Sequence, residues 1–206
     1  MKIEIKISKK PINYVKAMTF LSKRVKEIQE KKKSELIWLL EHQNVYTAGT
    51  SSKKQDVLDQ NIKIVKTNRG GKITFHGPGQ IIFYFAIDLN KRKKDIRWFL
   101  RCIEKSIIDT LDAYNIKSKN DKKNIGIWIN HKNKEKKVAS IGIKISKWIA
   151  YHGYALNINI DKKNFNKIIP CGLNNKEIIN LTEVKKIKFN KIKEKMIKKF
   201  IFYLEN

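Results

Sequence analysis

Apolar and polar positions alternate at the start of the chain. In residues 2–7, Ile3, Ile5 and Ile7 share one face, which predicts a strand. Over 13–32 the period changes. Val15, Met18, Leu21, Val25 and Ile28 recur at helical spacing, with lysines on the other side. Residues 36–40 (LIWLL) read as a fully buried strand, and 62–65 as another after a helical turn around 55–58. Residues 72–75 and 81–89 read as strands flanking a Gly-Pro-Gly turn. Asp95 is placed to cap a long helix to Tyr114, whose core face carries Phe99, Ile103, Ile107 and Leu111. Strands are expected at 125–129, 137–145 and 148–160, and a helical turn at 165–168 before Pro170. The last helix, 187–204, turns Ile192, Met196, Phe200 and Leu204 inward. Lysine-rich runs at 117–124 and 130–137 read as solvated loops. With no long linker and no repeat, the pattern predicts a single α+β domain over 1–206: a mixed β-sheet flanked by helices.

Charge changes this picture little. A net charge of +27 suggests a nucleic-acid-binding module. However, the lysines are spread over turns and polar faces along the whole chain, with no arginine- and aromatic-rich element, and this argues against nucleic acid. The same charge would steer acidic protein partners. The longest apolar runs, such as IIFYFAI (81–87), fall short of the roughly 20 residues a membrane span needs, and the N-terminus lacks a signal-peptide core. Cytoplasmic residence without membrane association is expected. Two cysteines, Cys102 and Cys171, make no disulfide framework, and no metal-ligand spacing occurs.

Four of the nine glycines and one of the three prolines fall within RGGKITFHGPGQ (69–80). Two readings are open: a backbone cradle for an anion with Arg69 beside it, or a hairpin turn. The spacing matches neither GxxxxGK[ST] nor GxGxxG. In either case bare backbone allows close approach by another group. His76 is an acid/base candidate or a structural hydrogen-bonder. In YHGYALNIN (151–159), Gly153 and Ala155 share one face of a strand. That face could be the open wall of an acyl slot or a glycine bulge in a packed sheet. Cys171, between Pro170 and Gly172, suits an exposed loop and a nucleophilic role, whereas Cys102 on an amphipathic helix suits buried packing. KKVASIG (136–142) offers a lysine entering a strand of small and apolar residues, where lost hydration would loosen its proton.

Together these segments resemble the lipoyl(octanoyl) transferases, also called lipoate–protein ligase B. RGGKITFHGPGQ, GIW (126–128), KVASIG (137–142), HGYALN (152–157) and PCG (170–172) follow one another in that family's order. EHQNVYTAG (41–49) resembles its opening loop. The likeness runs from about 36 to 184. It implies the fold of the biotin/lipoate ligase catalytic domains. It also implies octanoyl transfer from octanoyl-acyl carrier protein to the lysine of lipoyl domains, in E2 subunits of 2-oxoacid dehydrogenases and in the glycine cleavage H protein. No ATP or other cofactor is implied, because the donor is already a thioester. By the same resemblance Cys171 carries the acyl group and Lys137 tunes the thiol and moves protons. The acyl pocket would be lined by Arg69, Gly70, Gly71, Lys72, Ile73, Thr74, Phe75, His76, Ser140, Ile141, Gly142, Gly153, Tyr154 and Ala155, with glycine N–H groups as oxyanion donors. The competing reading within the fold is an ATP-dependent lipoate or biotin ligase, which would not need Cys171.

Overall fold

In the computed structural model of the chain, residues 2–121, 124–170, 177–186, 188–189 and 191–206 are described. The alternating segments join in one seven-stranded sheet. Numbered by position in the chain and given in spatial order, its strands are β1 (Ile3–Ile7), β2 (Glu35–Leu40), β6 (Gln80–Asp88), β10 (Ile149–Asn157), β9 (Lys134–Ser146), β8 (Ile127–His131) and β7 (Lys119–Asn120). Among the described residues, the β1–β2 pairing is the one parallel pairing in this sheet. Three further strands, β4 (Ile64–Lys66), β3 (Val45–Ala48) and β5 (Ile73–His76), form a small second sheet with β3 in the middle.

The helices cover the large sheet from both sides. Helix α1 (Tyr14–Gln29) sets Ala17, Leu21, Val25 and Ile28 against Leu36, Trp38, Leu40, Ile82 and Ala86. Its N-terminus is capped by Asn13, whose side chain accepts from Lys16 N at 3.2 Å. On the opposite face, α2 (Ile96–Asp112) and α3 (Ile192–Glu205) build the larger core. There Phe99, Ile103, Ile107 and Leu111 meet Met196, Phe200 and Leu204 over Phe83 and Phe85. Asp95 caps α2, accepting from Trp98 N at 2.9 Å. Phe200 stacks on Phe85 with ring centroids 5.2 to 5.5 Å from Phe83 and Phe85, and truncating such a ring costs about 3–5 kcal/mol. Strand β6 is buried on both faces, which is why its sequence is a continuous apolar run rather than an alternation.

Ile5 and Ile7 are about half exposed, at 48% and 47%. Strand β1 is an edge strand, and its polar residues face α1: Glu4 pairs with Arg24 at 2.9 Å, and Lys6 lies over the Phe20 ring at 4.2 Å. The isoleucines therefore point away from that helix. Two expectations change. Val15 is exposed, and Tyr14 takes the inward position. The basic run 130–137 is no loop but the tip of the β8–β9 hairpin. Its two turn residues, Lys132 and Asn133, both have left-handed backbones (φ 53° and 58°), as a right-twisted two-residue hairpin requires. Among the described residues, no helix is long and apolar enough to cross a membrane.

Candidate active site

The glycine-rich segment 69–80 is not a hairpin. Strand β5 belongs to the small sheet and β6 to the large one, so Gly77–Pro78–Gly79 carries the chain between the two sheets. The crossing is pinned. Gly79 N donates to Glu41 at 2.9 Å, and Gly79 O accepts from Ile158 N and Asn159 N at 3.0 and 2.8 Å. Because β5 alternates, Thr74 and His76 face one way. Ile73 and Phe75 face the other, into a small apolar cluster with Ile160, Phe165, Ile168 and Ile178.

Where the two sheets meet, a narrow cleft of about 60 Å³ opens on the α1 side of the large sheet. It is bordered by Arg69, Gly70, Gly71, Lys72, Thr74 and His76 from the first segment, by Ser140, Ile141 and Gly142 from β9, and by Gly153, Tyr154 and Ala155 from β10. Ile73 and Phe75, expected there, are not on its border. Tyr14, Ile82, Tyr84 and His152, not expected there, are. Tyr14 comes from α1, remote in sequence from the glycine segments, and Tyr84 from β6, which directly follows one of them. The one available signal was a phenol interrupting the apolar run of β6. Tyr154 borders the cleft while its ring belongs to the opposite core, stacked on Phe83 at 4.8 Å.

Polar contacts hold the walls. The Arg69 guanidinium donates to Thr47 O (3.0 Å), Thr47 Oγ1 (2.8 Å) and Gly70 O (3.0 Å), tying the glycine loop to β3. Gly70 N is committed to Ile143 O at 3.3 Å, so this N–H is not the oxyanion donor the sequence suggested. His42 Nδ1 lies 2.8 Å from Ile12 O, an acceptor only. Nδ1 therefore carries the proton, and Nε2 accepts from the Tyr84 hydroxyl, also at 2.8 Å. Burial pushes His42 down to about 4 and His76 down to about 3, with the charges of His42 and Arg69 adding to the effect on His76. All three buried histidines are thus neutral near pH 7, because His152 is pushed to about 3, first by burial and then by Arg69 and Lys144. Burial likewise raises the Tyr14 and Tyr84 hydroxyls above their ordinary range.

His152 reaches the cleft through an irregularity. Its φ of +69° breaks the alternation of β10, so that its ring stacks beside Tyr151 at 4.9 Å instead of entering the opposite core. Such backbone positions cluster at functional sites. The same distortion decides the role of Gly153. A Cβ there would stand 1.8 Å from Phe83 O on the neighbouring strand. Glycine is required for close strand approach, and a side chain would strike β6 rather than project into a slot.

A hydrogen-bonded chain leads from the cleft toward Lys137. His76 Nδ1 meets Gln80 Oε1 (2.7 Å), Gln80 Nε2 donates to Asn157 Oδ1 (2.8 Å), and Asn157 Nδ2 donates to Ile179 O (3.4 Å). Ile179 N donates in turn to Lys137 O at 3.1 Å. Lys137 is the fourth residue of β9, not the strand start, and it sits at a register shift opposite Ile127 and Trp128. A bulge of this kind re-aims a side chain. Its ammonium is buried, donates to Ile125 O at 3.0 Å and lies 5.1 Å from the Trp128 ring centroid. Gly126 makes room for it, since a Cβ at 126 would come within 2.7 Å of Lys137 Cε. Lys137 does not border the cleft, but Ser140, three residues along the strand, does. Cys171 lies outside the described residues. Cys102 is buried, its thiol donates to Tyr203 O at 3.1 Å, and burial pushes it up to about 11, which suits packing and not nucleophilic attack. Among the described residues, no group of three or more His, Cys, Asp or Glu side chains is placed to hold a metal.

The sequence model described as "Lipoyl protein ligase A/B catalytic domain" matches residues 13–201. An octanoyltransferase of Ehrlichia ruminantium is 43% identical over 181 residues, covering 87% of each protein. One of Wolbachia sp. subsp. Brugia malayi is 42% identical over 183 residues, 88% of this chain and 89% of that protein. Solved structures share the fold. Lipoate-protein ligase A bound with ATP superposes with a TM-score of 0.74 at 14% identity, covering 100% of this chain and 86% of that one. A biotin protein ligase of Aquifex aeolicus gives a TM-score of 0.53 at 12% identity, over 98% of this chain and 70% of that one.

Proposed function

The chain belongs to the lipoyl protein ligase A/B catalytic-domain family and groups with its octanoyltransferases, so it is an acyltransferase moving octanoyl groups in protein lipoylation. From that premise we propose that it takes octanoyl from octanoyl-acyl carrier protein. It then passes the group through a thioester on Cys171 to the lysine of lipoyl domains, including those of E2 subunits and the H protein. One observation carries the reading: three separated segments, 69–76, 140–142 and 153–155, converge on one narrow cleft to which each brings at least one glycine, three positions along β9 from a buried lysine.

An ordinary thiol, with a pKa of about 8.5, is only a few per cent thiolate at neutral pH, and an adjacent ammonium favours the thiolate. In the first half-reaction the Cys171 sulfur attacks the thioester carbonyl. A new C–S bond forms, the carrier's C–S bond breaks, and the departing carrier thiolate takes a proton from Lys137. In the second, the acceptor amine attacks the Cys171 thioester. The amide forms, Cys171 leaves as thiolate, and the neutral Lys137 takes the proton released by the amine. Protons balance over the cycle. Because the overall exchange is thioester for amide, no nucleotide is consumed. The net charge of +27 complements acidic carrier and lipoyl domains.

Single-turnover transfer from octanoyl-carrier protein to a lipoyl domain, with and without ATP, tests the reading. Equal transfer in both, lost in Cys171→Ser, is expected. Transfer that requires ATP and survives Cys171→Ser would instead identify an ATP-dependent ligase.

A further inference from the structure

The cleft ends against a wall, and behind the wall lies a larger space. Ser140 pairs with Ala155 and Gly142 with Gly153, which in turn pairs with Tyr84. The cleft therefore runs along the strands away from Lys137, over about 7 Å between Ser140 and Gly142. His152, paired with Ile143 just past Gly142, stands at its far end, and Tyr14 borders it from α1. Both also line a groove of about 800 Å³ between α1 and residues 65–68, floored by Met18, Leu21 and Tyr151. Two side chains thus separate a narrow cleft from an open apolar groove.

The partition is stiff. The Tyr14 ring lies parallel to His76 (6.2 Å, 7°) and 5.1 Å from His42, which fixes its plane. His152 is turned into the wall by its left-handed backbone and held there by Asn68 Oδ1 at 2.9 Å. Arg69 Nε and His152 Nδ1 are buried there without a well-formed hydrogen bond among the described residues, so the end of the cleft is polar as well as closed. A methyl terminus reaching it meets the Tyr14 ring and a surface that does not favour further methylenes.

Resting on the octanoyl reading above, we propose that Tyr14 and His152 form the end-stop that sets acyl chain length. Removing the Tyr14 ring joins the cleft to the groove and admits longer chains. The groove then supplies the apolar space that twelve- and fourteen-carbon tails need. The ring, not the hydroxyl, is the barrier.

The test is equilibrium binding of octanoate, dodecanoate and tetradecanoate, each below its micellar concentration, by titration calorimetry. Binding by wild type is expected to fall at least tenfold from eight to twelve carbons. Tyr14→Ala should raise the ratio of twelve- to eight-carbon affinity at least tenfold, and Tyr14→Phe should keep the wild-type ratio. Asn68 is exposed, so Asn68→Ala spares the fold while releasing the His152 ring, and it should move the ratio in the same direction. Wild type that binds all lengths alike, or binds none, overturns the proposal, as do folded Tyr14→Ala and Asn68→Ala proteins with the wild-type profile. Transfer to a lipoyl domain is read separately. Chain-length-limited binding without transfer would contradict the transferase chemistry while upholding the end-stop.

Discussion

At Gly153 the distance to Phe83 O decides the effect of a substitution. A valine there would force β10 off β6, and overpacking with backbone displacement costs about 1–3 kcal/mol or more. Gly153→Val should therefore lower Tm by several degrees at least, with transfer lost in proportion to folded protein. A variant that melts like wild type but fails to transfer would return Gly153 to the acyl wall. The small-residue face at 153 and 155 was readable in the sequence. The left-handed turn at His152 was not, because histidine's modest enrichment at positive φ is too weak a signal inside a strand pattern. The period-two rule could have sorted Thr74 and His76 from Ile73 and Phe75, since a strand cannot present four successive side chains to one cavity. Tyr14 and His42 were invisible for another reason. Tyr14 meets the cleft, and His42 braces Tyr14 and Tyr84 behind it, only through the packing of α1 and the 41–49 segment on the sheet.

Among the elements, the long helices were legible from their periodicity and the Asp95 cap, and β6 from its unbroken apolar run. Pairing between distant strands was not. Residues 72–75 and 81–89 look like two arms of a hairpin, yet they part into different sheets because β5 pairs with β3 and β6 with β2 and β10. Solvated residues in the β8–β9 tip hid a tight turn in the same way. Lys132 and Asn133 both pay for left-handed backbones there, and Asn-Gly is the preferred occupant of such a turn. The double substitution Lys132→Asn, Asn133→Gly should add about 1 kcal/mol, about 2–4 °C in Tm, with transfer unchanged. An unchanged or lower Tm would mean that the turn is not limiting.

For the whole molecule, three buried neutral histidines set an acid limit. His42, His76 and His152 hold folded-state values of about 4, 3 and 3, against about 6.5 in the unfolded chain. Below pH 6.5 the unfolded chain gains protons that the folded protein refuses. The stability they contribute is complete above pH 6.5 and is lost as pH falls toward 4, each histidine adding up to about 1.4 kcal/mol per pH unit. Urea midpoints should be flat from pH 8 to 7 and fall steeply between 6.5 and 5. A midpoint constant down to pH 5 would show that these imidazoles are protonated in the folded state.

The most direct measurement is intact mass after mixing the protein with octanoyl-acyl carrier protein, without ATP and without acceptor, followed by peptide mapping. One octanoyl group on Cys171 is predicted, removed by added lipoyl domain. Cys102, with its buried thiol pushed up to about 11, should stay unmodified and serve as the internal control. An unmodified protein, or an adduct that appears only when ATP is supplied, would contradict the account.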